Sequence, residues 1–140
     1  MKKFTKLAAS IAFGFGFAGV AQADPLTTGY WQATFYQVTT GATYVSQGVC
    51  LQPNNTWYST TQHGWHGDWY QNGTQVQWYG NVIMSATQQL ATVGIGQLTT
   101  ATTVSGDYAE WSVIGASPLS WDRHYSHIMV YQGATCPPAA

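Results

Sequence analysis

Charge is what this chain has least of. Only 6% of its 140 residues are Asp, Glu, Lys or Arg, and three of its four cations, Lys2, Lys3 and Lys6, fall in the first six positions. After them the sole cation is Arg123, set against Asp24, Asp68, Asp107, Glu110 and Asp122. So few cations release few counterions from phosphates, which excludes nucleic acid as an expected partner. Anionic lipid surfaces are excluded for the same reason. Helical periodicity is also almost missing, so a helical or mixed fold is not expected. No serine sits in a Gly-x-Ser-x-Gly elbow, and no lysine follows Lys6. Asp68, Asp107, Glu110 and Asp122 show no spacing that brings two carboxylates together for acid/base work. No catalytic residue is assigned and no cofactor is expected.

What is present begins with a leader. Three lysines precede an apolar, glycine-rich run from Leu7 to about Val20, followed by Ala21-Gln22-Ala23. This is the layout of a secretory signal peptide over residues 1–23. The run is short for a membrane span and no second apolar segment follows, so no membrane anchor is expected after cleavage. The expected product is an exported chain over residues 24–140, periplasmic or extracellular, with one cation and five acids. Export places Cys50 and Cys136, the only cysteines, in an oxidising compartment, where they are expected to pair.

The remainder reads as strands. Thr, Val, Tyr, Trp and Gln dominate short runs broken by Gly and Asn. Strands are expected at 29–38, 43–51, 57–61, 65–71, 74–84, 88–98, 106–114 and 124–132. Eight strands at near-regular spacing suit a single all-β domain over residues 24–140. The expected form is an antiparallel up-and-down β-barrel, with a β-sandwich as the alternative. The Thr-rich "QLTTATTVSG" is expected to be a loop. Asn54-Asn55-Thr56 and Asn72-Gly73-Thr74 match the glycosylation sequon but read better as turns behind a bacterial-type leader.

Asn72-Gly73 is a strong two-residue hairpin signal. Folding about it pairs Trp69 with Val76, Gly67 with Trp78 and Trp65 with Gly80, a face on which glycines make room for tryptophans. Tyr70, Asp68 and His66 fall on the other face with Gln75, Gln77 and Tyr79. "YWQATFYQV" sets Trp31, Ala33 and Phe35 on one face. "GDYAEWSVI" sets Ala109, Trp111 and Val113 against Tyr108, Glu110 and Ser112, and these apolar faces are expected to point inward. Trp65, Trp69, Trp78 and Trp111 are the candidate ligand-binding residues.

His63-x-x-His66 and His124-x-x-His127 have the look of ligand pairs. On a strand, three-residue spacing sends the two rings to opposite faces, so no metal site is assigned. His66 and Asp68 do share a face, and one more ligand from the last strand would be needed to complete a site.

Gly29-Tyr30-Trp31, opening the first strand, resembles the Gly-x-Trp signature of the calycin superfamily of lipocalins, fatty-acid-binding proteins and avidins. The resemblance implies that Trp31 opens an up-and-down barrel and is covered by a cation near the last strand. Arg123 is the residue onto which that cation maps, so a structural Trp31–Arg123 cation–π contact is expected. Gly106-Asp107-Tyr108 echoes part of the Thr-Asp-Tyr motif of lipocalins. The implied function is binding of a small apolar or amphipathic ligand. Two alternatives stand beside it: a secreted inhibitor or other module with a protein partner, and a carbohydrate-binding module that uses an aromatic platform.

Overall fold

Runs of Thr, Val and aromatic residues alternating with Gln and Gly make strands, and no helix forms among the described residues. The structure, a computed structural model, describes residues 25–115 and 120–140. The leader expected over residues 1–23 lies outside them. The strands are β1 (Gly29–Gln37), β2 (Thr43–Leu51), β3 (Thr56–Ser59), β4 (His66–Asn72), β5 (Gln75–Ser85), β6 (Gln88–Thr100), β7 (Thr103–Ile114) and β8 (Ser120–Gly133). Each pairs antiparallel with the next, and β8 returns to β1, closing an eight-stranded up-and-down barrel. The Thr-rich stretch is not a loop. It extends β6 to Thr100 and starts β7 at Thr103, because β-branched threonine suits a pleated strand.

Period-two alternation decides what lies inside. On β1, Trp31 and Ala33 are fully buried and Phe35 nearly so. On β5, Val76, Trp78, Gly80 and Val82 point inward while Gln75, Gln77, Tyr79 and Asn81 face out. No helix among the described residues is long and apolar enough to cross a membrane.

The β4–β5 hairpin keeps the expected faces but not the expected register. Asn72 pairs with Gln75, Trp69 with Trp78 and Gly67 with Gly80. The turn is therefore Gly73-Thr74, with positive φ at Gly73 and not at Thr74, the pattern of a II′ turn. Glycines do make room for tryptophans, but across other strand pairs. A side chain on Gly80 would meet the Trp57 ring, and one on Gly94 would overlap the Trp78 indole. Gly94→Ala should therefore destabilise the barrel by about 2 kcal/mol through overpacking, measured as a loss of unfolding free energy in urea.

One strand is inverted relative to expectation. On β7 the inward residues are Tyr108, Glu110 and Ser112, all buried, and Trp111 faces outward. Both faces of this strand carry an aromatic, so alternation alone does not rank them. Pairing does, because Glu110 meets inward-pointing Thr92 of β6.

The two ends of the barrel differ. Strand β1 starts at an end that the preceding residues close: Leu26 is buried, its N–H donates to Gln71 Oε1 of β4, and Trp31 Nε1 donates to Thr27 O at 2.9 Å. Tyr131 meets Trp31 edge-on at 5.4 Å between ring centroids. Trp69 Nε1 donates to Gln52 O at 3.1 Å, so these buried indoles keep their polar edge paired.

The expected Trp31–Arg123 contact does not form. Trp31 pairs with Tyr131 on β8, and Arg123 lies eight residues earlier on that strand, roughly 26 Å away at strand rise. Antiparallel neighbours begin at opposite ends, so the start of β8 belongs to the end where β1 finishes. The guanidinium lies over Tyr44 instead, 6.0 Å from that ring.

Cys50 and Cys136 are disulfide-bonded, with Cα atoms 5.6 Å apart across 86 residues. Cys50 sits on the outer face of β2, fully covered. The tail after β8 lies against this face and its neighbour, where Tyr58 donates its hydroxyl to Pro137 O at 2.9 Å and Ala140 N–H donates to Ser59 O at 3.1 Å.

Candidate functional site

Where β1 ends, β2 begins and β8 begins, no plug like that at the other end forms among the described residues. Here the interior is not filled by rings, and a cup of about 210 Å³ remains. Its wall combines aromatic residues (Phe35, Tyr44, Trp65, Tyr108, Tyr125) with polar ones (Gln47, Gln62, Glu110, Arg123), and Met84 and Leu90 line it too. Apart from Gln62, which follows β3, four strands supply the polar groups or their stacking partners, because inward positions of β2, β7, β8 and β1 meet at one level only after closure.

The polar cluster is connected. Arg123 Nη1 donates to Tyr44 OH at 2.8 Å and pairs with Glu110 Oε1 at 3.5 Å. Arg123 is half-exposed at the rim while Glu110 is buried. Tyr44 and Tyr125 stack with centroids 4.4 Å apart and planes 14° from parallel. Phe35 and Tyr108 meet at 4.5 Å. Burial, with the Glu110 charge adding to it, pushes the Tyr108 phenol well up, and burial followed by the neighbouring Tyr44 pushes Tyr125 up. Both phenols therefore stay protonated at neutral pH and remain hydrogen-bond donors.

Below the cup, a slot of only about 10 Å³ continues inward, bounded by Phe35, Val49, Trp57, Trp78, Tyr108 and Gln47. Phe35, Gln47 and Tyr108 line both spaces. Gln47 is 8% exposed, and its Nε2 is buried without a hydrogen-bond partner among the described residues. Trp57 Nε1 is satisfied by Tyr79 O at 2.9 Å, so the slot wall it forms is apolar.

Of the four tryptophans expected to bind a ligand, Trp65 lines the cup and Trp78 the slot. Trp69 is 7% exposed and belongs to the closed half of the core. Trp111 is on the outside. The cup residues that sequence reading missed are Gln47, Tyr44, Tyr108, Glu110 and Tyr125. Their signal was the inward row Tyr108-Glu110-Ser112, a polar strand face that makes sense only beside a cavity.

The histidines divide as strand geometry requires. His124 points outward and pairs with Asp107 at 3.4 Å, and His127 points inward. His66, exposed, contacts Gly64 O through Nδ1 at 2.8 Å. Strand β4 adjoins β3 and β5, so no last-strand residue joins His66 and Asp68. Among the described residues no cluster of three or more His, Cys, Asp or Glu side chains forms.

No protein-family model, curated protein or solved structure matches this chain, so the reading of the cup rests on its geometry.

Proposed function

We propose that this chain is an exported, calycin-like binding protein that takes a small amphipathic ligand into the open end of its barrel. The observation that carries this reading is the contrast between the two ends. One is stoppered by Leu26, Trp31 and Trp69, and the other keeps a cup in which aromatic walls surround Glu110, Arg123 and Gln47. A cavity lined mostly by apolar and aromatic side chains with a few placed polar ones is the usual form of a small-molecule site. The charged and amide groups favour an amphipathic ligand over a purely apolar one. Export is supported by the leader sequence and by the Cys50–Cys136 disulfide. A protein-binding inhibitor has no use for an open interior, so that reading ranks second.

The test is a titration of the oxidised chain with a neutral amphiphile, benzyl alcohol, followed by tryptophan fluorescence. Trp65 should report binding, and the response should disappear in Leu90→Trp, which fills the cup from β6. An undiminished response in that variant would place the binding elsewhere and overturn the reading.

A further inference from the structure

The floor of the cup is more selective than its walls. The slot has room for a single water-sized or methyl-sized group. A buried water needs two to four polar partners, and Phe35, Val49, Trp57 and Trp78 offer ring and aliphatic surface. The slot therefore suits a methyl group. At its mouth stands Gln47, nine-tenths buried, with an N–H donor that no group among the described residues accepts. A buried donor without a partner is rare in folded proteins and calls for an acceptor.

A methyl group joined directly to a carbonyl answers both demands at once. The methyl enters the slot and the oxygen, one bond away from the shared carbon, turns to Gln47 Nε2. Above this level the cup wall carries the Glu110 carboxylate, paired with Arg123, a group that accepts hydrogen bonds and does not donate them. An N–H on the same carbonyl carbon would donate there. A carboxylate ligand such as acetate would bring a second negative charge towards Glu110, which like-charge repulsion disfavours.

We propose that the cup recognises an acetamido group, CH3–CO–NH–, carried either by an N-acetylated sugar or by an N-acetylated amino acid. This rests on the reading of the cup as the ligand site. Gln47 is the residue that reads the carbonyl, the slot reads the methyl, and the wider aromatic cup holds whatever the nitrogen is attached to, with Trp65 and Tyr125 as its walls.

The experiment is calorimetric titration of the full oxidised chain with N-acetylglucosamine, N-acetylalanine methylamide, N-propionylglucosamine and glucose. At least one acetamide should bind ten-fold or more tightly than glucose, and the tighter of the two assigns the source of the group. N-propionylglucosamine should bind at least ten-fold more weakly than N-acetylglucosamine if the sugar is the source, because the slot does not admit an ethyl group. Gln47→Leu should lose ten-fold or more in acetamide affinity while its melting temperature stays level or rises, since the change removes an unsatisfied buried donor. A merely structural Gln47 would instead lower the melting temperature and leave the acetyl preference intact. Equal affinity for glucose and both acetamides would overturn the acetamido assignment. So would acetamides that fail to bind while benzyl alcohol still binds in a Leu90→Trp-sensitive way, and that result would leave the cup standing. Failure of every probe would overturn both readings. The propionyl arm tests the slot without any variant, so the assignment stays exposed to failure even if Gln47→Leu does not fold.

Discussion

Reduction of Cys50–Cys136 should lower the melting temperature of this barrel by about 15 °C, the largest effect expected from any single change. The bond closes a loop of 86 residues, and the loop-entropy model assigns such a cross-link about 4 to 5 kcal/mol, acting mainly on the unfolded chain. For a domain of this size each kcal/mol moves the midpoint by about 4 °C. The native barrel keeps its ladders without the bond, but the tail then depends on a few contacts such as Tyr58 to Pro137 and Ala140 to Ser59. Cys50→Ala with Cys136→Ala should reproduce the loss, and scanning calorimetry of the oxidised, reduced and double-substituted chains would measure it. A drop of under about 3 °C would show that the unfolded chain is already compact enough to gain little from the constraint.

Acid should destabilise the barrel through His127. This ring is 2% exposed, lies against Trp78 at 4.6 Å and against Phe35, and leaves Nδ1 without a partner among the described residues. Burial lowers its pKa to about 4, outweighing the opposing pull of Asp107. The folded state thus holds the neutral ring, while the unfolded chain takes up a proton near the ordinary value of 6.5. Its contribution is whole above pH 6.5, shrinks as pH falls, and is lost by about pH 4. A shift of this size amounts to about 3 kcal/mol across that window. Urea unfolding between pH 7.5 and 4 should show the decline, and His127→Leu should flatten it whatever that variant does to stability at neutral pH. A slope unchanged in His127→Leu would assign the acid sensitivity to other groups.

The barrel was largely legible because its physics is local. Alternation along β1, β4 and β5 told which side chains face inward, and Asn72-Gly73 located the hairpin. What was lost is what alternation does not encode. Moving the β4–β5 pairing by two residues leaves every side chain on its own face, so the hydrophobic pattern does not choose between Trp69 against Val76 and Trp69 against Trp78. On β7 both faces offer an aromatic, and the choice falls to partners on β6 and β8. The Arg123 expectation failed on strand direction: in an even-stranded barrel the start of the last strand lies at the end opposite the start of the first. The cup was invisible for a different reason. Gln47, Glu110 and Arg123 are ordinary surface-type residues until closure brings β2, β7 and β8 around one space.

The seam between β1 and β8 also bears on how the chain finds its shape. Trp31 meets Tyr131, and Ala33 meets Met129, so the barrel is sealed by contacts between residues at nearly opposite ends of the described chain. Such pairings are the slowest to form, because a long loop must close before they give anything back. Hairpins from β2 to β8 are all local by comparison. The Cys50–Cys136 link joins the strand beside β1 to the tail just after β8, so an oxidised chain begins its search with the two sides of the seam already held together. In that chain the most distant contact of the fold becomes one of its nearest, and barrel closure no longer has to wait for the ends to meet by diffusion.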